Sequence, residues 1–214
     1  LGGKAMHLKT GTGWANDQLA LSTHGATHVD APWHYSPTCG GEKSRTIDEM
    51  PLDWFYGPGI VLDISHLDPI AAASLADVQQ QLANIDHQLR PGQIVLFRTG
   101  NDRLWGQRKY YSSGPGISAE ATRWLIEQGV RVMGIDAWGW DAPLYHQAKL
   151  AKESGRNDIF WAAHYVGADL EYCHMERLAQ LDRLPHQGFT VCAFPLKVKG
   201  GSAGPARVVA MIDE

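Results

Sequence analysis

The chain has 214 residues, a formal net charge of −4, and 44% hydrophobic and 20% charged residues. This composition indicates an ordinary globular protein with a single domain over residues 1–214. It contains no run of about 18 apolar residues to cross a membrane and no basic block to bind nucleic acid, so neither partner is expected. No signal sequence is recognisable, so a cytoplasmic location is expected, although a chain that begins at Leu1 leaves open whether a native N-terminal piece precedes it.

Short segments rich in β-branched residues and bounded by Gly, Pro or Asp predict strands. In chain order they are residues 60–65 (IVLDIS), 94–99 (IVLFRT), 130–136 (VRVMGID), 190–194 (TVCAF) and 206–212 (ARVVAMI), with residues 20–23 (ALST) as a further candidate.

Two helices are predicted between these strands. Ser74 is the candidate N-cap of a helix that continues to residue 89, and Ser118 is the candidate N-cap of a second helix that stops at Gly129. Alternating strands and helices predict an α/β architecture, and near-continuous apolar strands predict a sheet that is covered on both faces.

The cysteines and the tryptophans support two separate predictions. Cys39, Cys173 and Cys192 lie far apart without a C-x-x-C spacing, which predicts reduced thiols rather than disulfides or a thiolate zinc site. Large aromatic side chains are most often core, but several tryptophans could wall an aromatic pocket. They are Trp14, Trp33, Trp54, Trp138, Trp140 and Trp161.

The stretch STHGATHVDAPWHY, residues 22–35, contains three histidines and an aspartate. On an extended chain His28 and Asp30 share a face, with their Cα atoms about 6.6 Å apart. A straight strand would place His24 about 13 Å from His28, so we expect a tight bend at Gly25 to bring it back. Imidazole and carboxylate suit zinc, manganese or iron(II), and three such ligands leave coordination positions open for catalysis.

Further polar residues could complete this site. His34 follows Pro32, which could hold the imidazole beside the ion, where a group with a pKa of about 6.5 serves as a general base or acid. Helical periodicity does not choose among the later candidate ligands, which are His164, Glu171, His174 and Glu176.

Other motifs carry less information. Asp136 and Asp141 follow a predicted strand, where α/β folds gather functional residues, but Asp136 is equally suited to cap backbone amides. The sequence has neither a complete dinucleotide-binding or phosphate-binding glycine motif nor the G-x-S-x-G elbow of serine hydrolases.

STHGATHVDAPWHY resembles the H-x-G-T-H-x-D-A-P-x-H signature of the metal-dependent cyclase family, which includes bacterial kynurenine formamidases and isatin hydrolases. The resemblance extends through GPGIVLDIS, LRPGQIVLFRTG and GPGISAEATRWLIEQGVRVMGID to Leu178, nearly the whole chain. It implies a swivelling β/β/α sandwich, usually assembled as a homodimer or homotetramer.

The resemblance also implies a ligand set. His24, His28 and Asp30 would bind metal, and His34 would be the catalytic acid/base. His164 and Glu176 match the family's H-x11-E-x-L pattern, which would complete a two-metal site bridged by Asp30. Because the family's isatin hydrolases use one manganese, the expectation is one or two ions of Zn²⁺ or Mn²⁺.

The sequence departs from the family pattern at two places, of which the second bears on the substrate. Ala26 stands where the family usually has Gly, and residues 137–139 are Ala-Trp-Gly where it commonly has Thr-Pro-Ser. Trp138 and Trp140 could therefore reshape the pocket, with Trp33 beside it and Trp14 at its mouth.

The sequence therefore predicts a metal-dependent hydrolase of a small carbonyl compound. The bond would be the amide of a formamide or cyclic amide, or an ester or lactone bond, cleaved by activated water with His34 moving the proton. The alternatives are a cyclase or dehydratase acting on a polyketide-like or lactone substrate, and a non-catalytic metal-binding protein.

Overall fold

The computed structural model describes residues 15–212, which form twelve β-strands and five α-helices. The strands are β1 (His28–Asp30), β2 (Thr38–Cys39), β3 (Glu42–Lys43), β4 (Tyr56–Asp63), β5 (Ala72–Ala73), β6 (Ile94–Arg98), β7 (Gly116–Ile117), β8 (Val132–Ile135), β9 (Cys173–Glu176), β10 (Phe189–Cys192), β11 (Ala203–Pro205) and β12 (Val209–Ile212). The helices are α1 (Pro32–Tyr35), α2 (Leu75–Asn84), α3 (Ala119–Glu127), α4 (Leu144–Ser154) and α5 (Ala162–Tyr165).

Eight strands form one mixed sheet in the order β11–β1–β9–β8–β6–β4–β10–β12. The central strands β9, β8, β6 and β4 are parallel, and an antiparallel pair extends the sheet on each side. The prediction of an α/β architecture is confirmed.

Apolar side chains cover both faces of this sheet, as predicted. Along β4, Ile60 and Leu62 belong to the core beneath α2 and α3, whereas Val61 between them belongs to the core on the opposite face. This alternation follows from the two-residue period of a strand, and it explains why the central strands are apolar throughout.

The helix caps agree with the sequence. Ser74 Oγ accepts a hydrogen bond from the Asp77 amide at 3.2 Å, and the Asp77 carboxylate accepts one from the Ser74 amide at 2.8 Å. Ser118 caps α3 in the same way through the amide of Ala121.

Three element boundaries were predicted wrongly. The helix that starts after Ser74 ends at Asn84 instead of residue 89, because Asp86 adopts a left-handed conformation with φ +49°. Residues 20–23 form no strand, because the chain turns there and the Gly25 amide donates to the Ser22 carbonyl. The last predicted strand, residues 206–212, is observed only as β12 from Val209, and β11, which ends just before the predicted range, was missed.

Two other predictions concern cysteines and membranes. Cys39, Cys173 and Cys192 are all free, as expected. Among residues 15–212, no helix has the length and apolar character needed to cross a membrane.

Candidate metal centre

Strands β1 and β9 are antiparallel neighbours, and their register assembles most of the candidate site. His28 lies opposite Glu176, and Asp30 lies opposite His174. Because residues two apart on a strand share a face, all four polar side chains lie on one face of the sheet. The apolar residue between each pair packs into the core on the other face.

The remaining histidines come from the turn and the short helices around these strands. His24 lies in the turn before β1, His34 on α1, and His164 on α5. His24 Nδ1 is 2.8 Å from Asp30 Oδ1, and His164 Nε2 is 3.6 Å from Glu176 Oε1. The structure therefore brings together the five ligands that the family resemblance implies, and of the other two candidates it places His174 in the cluster and Glu171 outside it.

Several buried polar atoms of this cluster have no hydrogen-bond partner among the described residues. They are both carboxylate oxygens of Asp30 and the Nε2 atoms of His28 and His174. Each of these histidine nitrogens lies 3.1 Å from an Asp30 oxygen, but neither contact has hydrogen-bond geometry. Unpaired buried polar atoms are costly, and atoms that converge in this way fit a cation between them.

The donor atoms form two sets that share Asp30, each with its atoms within 4.8 Å of one another. The first set is Asp30, His164, His174 and Glu176, and the second is His24, Asp30 and His34. Nitrogen and carboxylate donors in this proportion suit zinc or manganese, so the residues present fit one or two such ions.

The outer nitrogen of each buried histidine has a partner that orients the ring. His28 Nδ1 lies 2.8 Å from the carbonyl of Ala26, and His174 Nδ1 lies 3.1 Å from the hydroxyl of Tyr35. Both contacts leave Nε2 facing the carboxylates, as outer partners of metal-binding histidines commonly do.

Asp141 performs the same task for His164. One oxygen of its carboxylate lies 2.5 Å from His164 Nδ1, and the carboxylate also accepts the backbone amides of Ala163 and His164. Burial alone would lower the pKa of His164, but the carboxylates of Asp141 and Glu176 outweigh it and raise the pKa to about 9.

The electrostatics of the centre reflect its dense packing of ionisable groups. Burial would raise the pKa of Asp30, but the surrounding histidines, His174 first, hold it well below the usual range. Burial and the neighbouring histidines lower the pKa of His34 to about 4. The His34 imidazole is therefore neutral at neutral pH and has a lone pair available.

A cavity of about 440 Å³ opens beside the centre. His34, His164 and Glu176 line its polar side. Its other walls are largely aromatic and apolar, and they include Tyr111, Trp138, Leu144, Phe160 and Trp161. A mostly apolar cavity with a few convergent polar groups is typical of a site for a small molecule.

The predicted tryptophan contacts differ in outcome. Trp138 lines the cavity, whereas Trp33 lies outside it with 40% of its surface exposed. Trp140 is fully buried, so its prediction as a substrate contact is wrong. It instead stacks on His174, and its backbone amide donates to Glu176 Oε1 at 2.8 Å. Trp14 lies outside the described residues.

Other sequence candidates have structural roles. Glu171 forms an ion pair with Arg45, and the Asp136 carboxylate caps the amides of Thr99 and Gly100. His174 was a candidate that helical periodicity could not select, because it lies on β9. Its two-residue spacing from Glu176, the same as that of His28 and Asp30, was the available signal.

The bend before β1 occurs as expected, but one residue later. Gly25 closes the turn through its amide, whereas Ala26 adopts the left-handed conformation, with φ +54°. The Ala26 carbonyl is thereby aimed at His28 Nδ1.

An α/β fold that places a buried histidine–carboxylate centre beside an apolar cavity defines a metal-dependent enzyme. Comparison with known proteins identifies the family. Residues 5–142 match the model of the cyclase family, described as "Putative cyclase", and the chain belongs to this family.

Relatives and solved structures support the same grouping. A kynurenine formamidase of Salinibacter ruber is 29% identical over 191 residues, which cover 89% of this chain and 77% of the relative. Cyclase-like protein 3 of Arabidopsis thaliana is 27% identical over 96% of this chain and 68% of its own. Isatin hydrolase A from Labrenzia aggregata, solved with bound benzyl benzoate, superposes with a TM-score of 0.78 at 29% identity, over 97% of this chain and 80% of that one. The fold implied by the sequence resemblance is thus confirmed.

Proposed function

We propose that the protein is a metal-dependent hydrolase that cleaves the carbon–nitrogen bond of a small aromatic or cyclic amide, such as a formamide or a cyclic amide. The observation that carries this proposal is the pair of donor sets sharing Asp30 beside an aromatic cavity. The kynurenine formamidases and isatin hydrolases among its relatives support hydrolysis of this bond. Esters and lactones present the same carbonyl and are the next substrates to test.

The metal would be held by His164, His174, Glu176 and Asp30, with His24 and Asp30 offering donors for a second position and His34 beside it as the proton carrier. His28 would complete the shell from the side of β1, where its Nε2 lies 3.7 Å from Glu176 Oε2. When bound, Zn²⁺ or Mn²⁺ supplies a Lewis acid that polarises the substrate carbonyl and acidifies water.

The residues of the chain supply proton transfer and orientation. His34 Nε2 lies 3.8 Å from Asp30 Oδ2 and faces the cavity, and its lowered pKa leaves the ring unprotonated at neutral pH. It takes the proton from water and returns it to the leaving nitrogen. Trp161 packs edge-on against His34 with ring centroids 5.2 Å apart and so helps to orient the imidazole.

The cavity selects a flat, largely apolar substrate. Trp138 and Tyr111 form one wall, with ring centroids 4.3 Å apart. A side chain at Gly139 would contact Glu176 Oε1 at 3.6 Å, so the glycine leaves this space beside the centre open to substrate. A serine here, as in the family pattern, would narrow that space.

Metal content and turnover test the proposal together. Protein purified without chelator should contain one or two equivalents of zinc or manganese by mass spectrometry. His34→Ala should cut kcat on an aryl formamide by about 100-fold or more and leave the metal content unchanged, because His34 transfers the proton and is not a metal ligand. Full turnover by His34→Ala would refute the role of His34. A metal-free protein that binds neither ion on titration would refute the hydrolase.

The family description and the cyclase-like relatives favour a second candidate, a cyclase or dehydratase acting on a polyketide-like or lactone substrate. Product analysis in ¹⁸O-enriched water separates the two. Hydrolysis incorporates the isotope into the product, whereas cyclisation with loss of water does not. A metallated protein that leaves formamides, cyclic amides, esters and lactones unchanged would be a metal-binding protein without catalysis.

We further propose a homodimer or homotetramer in a reducing compartment, the cytoplasm. Exposed apolar residues at the β12 edge of the sheet, Val209, Met211 and Ile212, offer a surface for self-association. The free cysteines suit a reducing compartment. Light scattering of the purified chain would give its oligomeric state.

A further inference from the structure

Arg177 directly follows Glu176 and lines the cavity beside the candidate metal centre. Its backbone is left-handed, with φ +59°, a conformation that is uncommon for a residue other than glycine. Two hydrogen bonds to other segments hold the backbone in this conformation: the Arg177 amide donates to the Ala137 carbonyl, and the Arg177 carbonyl accepts from the Thr27 hydroxyl at 2.6 Å. Strain of this kind is concentrated at functional sites.

The guanidinium of Arg177 is fixed by three contacts. Nε donates to the Trp138 carbonyl at 3.2 Å, and Nη1 donates to the His24 carbonyl at 2.6 Å. Its central carbon lies 3.5 Å from the centroid of the Trp138 ring. A guanidinium stacked and bonded in this way loses little further freedom when it binds a ligand.

The charge of Arg177 has no partner among residues 15–212. Five of the ten other arginines among residues 15–212 form ion pairs with Asp or Glu; they are Arg45, Arg98, Arg103, Arg123 and Arg156. Arg177 contacts only neutral carbonyls and an aromatic face, and its Nη2 has no acceptor in the described chain. It is therefore a preorganised cation, half-buried at the wall of an apolar cavity.

We propose that Arg177 binds a carboxylate of the substrate, so that the enzyme acts on aromatic amides that carry an anionic group close to the scissile bond. This inference rests on the proposed function and names its substrate class. A guanidinium donates to a carboxylate through charge-assisted hydrogen bonds, and the apolar walls strengthen them by excluding water. Because Arg177 is next to Glu176 and bonded to the His24 carbonyl, an anion bound to it would lie beside the candidate metal centre. Because Arg177 stacks on Trp138, the same anion would lie close to the aromatic wall of the cavity.

Binding of a simple pair of ligands tests this inference without turnover. Calorimetric titration of the metal-loaded protein with benzoate and with benzyl alcohol compares an anionic ligand with a neutral one of similar size. Arg177→Met should weaken benzoate binding by about 10-fold to 100-fold and change benzyl alcohol binding little. Arg177→Lys keeps the positive charge but loses the planar set of guanidinium donors, so it should recover part of the benzoate affinity that Arg177→Met loses.

The matched control is Arg103→Met, which removes an exposed arginine paired with Asp182 away from the cavity. It should bind both ligands as the unaltered protein does, and metal content is measured for every variant. The inference is overturned if the unaltered protein binds benzoate no better than benzyl alcohol, or if Arg177→Met weakens both ligands equally.

A second measurement uses the unaltered protein, in case Arg177→Met fails to fold. Phenylglyoxal modifies accessible arginines, and mass spectrometry locates the adducts. Benzoate should slow modification of Arg177 and leave that of Arg103 unchanged, and benzyl alcohol should protect neither. Equal modification of Arg177 with and without benzoate would overturn the inference.

Turnover then separates the two proposals. Formanilide and its ortho-carboxylated derivative share the scissile bond, and the carboxylated compound should show the higher kcat/KM, an advantage that Arg177→Met removes. Arg177-dependent benzoate binding without turnover of either amide would refute the hydrolase and leave the anion site standing. Turnover of both amides that is unchanged in Arg177→Met would support the hydrolase and refute the anion site.

Discussion

Asp30 and Asp136 are both 1% exposed, but their surroundings differ in kind. The Asp136 carboxylate accepts hydrogen bonds from the amide and hydroxyl of Thr99 at 2.7 and 2.5 Å, and from the amide of Gly100 at 2.9 Å. The Asp30 oxygens face histidine nitrogens without a hydrogen bond. The chain itself satisfies one buried carboxylate and leaves the other to be satisfied by a cation.

The pKa values of the two groups separate in the same way. Burial raises the pKa of Asp136 to about 6 in spite of its hydrogen bonds. Burial acts on Asp30 too, but the surrounding histidines hold its pKa well below the usual range. Asp30 thus stays ionised among groups suited to bind metal, whereas Asp136 joins β8 to the loop after β6.

The largest effect on metal content and turnover should come from neutralising Asp30, with Asp136 neutralised in a separate variant for comparison. Asp30→Asn takes away the carboxylate shared by both donor sets, so we expect metal content near zero and turnover reduced by more than about 100-fold, the upper cost of losing an outer partner. Asp136→Asn should retain metal and turnover. Mass spectrometry and amide hydrolysis measure both. Similar losses in the two variants would break the distinction between them.

Metal should stabilise the fold only when Asp30 is present. A ligand at about 100 times its Kd raises the free energy of unfolding by about 2.7 kcal/mol, and at about 1,000 times by about 4.1 kcal/mol. Denaturation with and without added metal should show this difference for the unaltered protein and for Asp136→Asn. If added metal raised the free energy of unfolding of Asp30→Asn by the same amount, the metal would bind at a site that does not include Asp30.

Local spacing predicted half of this centre, and the other half depends on strand pairing. His28 and Asp30 share a face because they are two apart on a strand, which the sequence shows directly. His174 lies opposite Asp30 only because β9 pairs with β1 in one register, and contacts between distant segments leave no trace in local periodicity. A strand pattern in CHME would have selected both His174 and Glu176.

The error at Trp140 has a related cause. Trp138 and Trp140 are two residues apart, but they follow β8 in a loop, so no strand alternation puts them on one face. Trp138 reaches the cavity, and Trp140 packs behind His174 with its ring nitrogen donating to Thr122. Sequence composition predicted an aromatic wall but not which tryptophan builds it.

Asp136 should also give the stability a characteristic pH dependence. Its folded-state pKa of about 6 lies above the ordinary value of 3.8, so the folded protein binds this proton more tightly than the unfolded chain does. The stabilisation is full below about pH 4 and is lost as the pH rises through 6, a fall of about 3 kcal/mol. The difference in unfolding free energy between the unaltered protein and Asp136→Asn should trace this fall. A difference that is constant from pH 4 to pH 7 would contradict the raised pKa.

The smallest effect concerns the turn that aims two histidines at Asp30. Ala26 has φ +54°, which costs a residue with a side chain about 1 kcal/mol, whereas glycine adopts it freely. Ala26→Gly should therefore raise the free energy of unfolding by somewhat less than about 1 kcal/mol, because glycine also makes the unfolded chain more flexible. Gly25→Ala is the matched control. A Cβ there would meet the Ser22 carbonyl oxygen at 3.1 Å, so this change should be neutral or destabilising. Chemical denaturation of the metal-free protein gives the free energy of unfolding of both variants. If Gly25→Ala were more stable and Ala26→Gly less stable than the unaltered protein, the strain would not lie at Ala26.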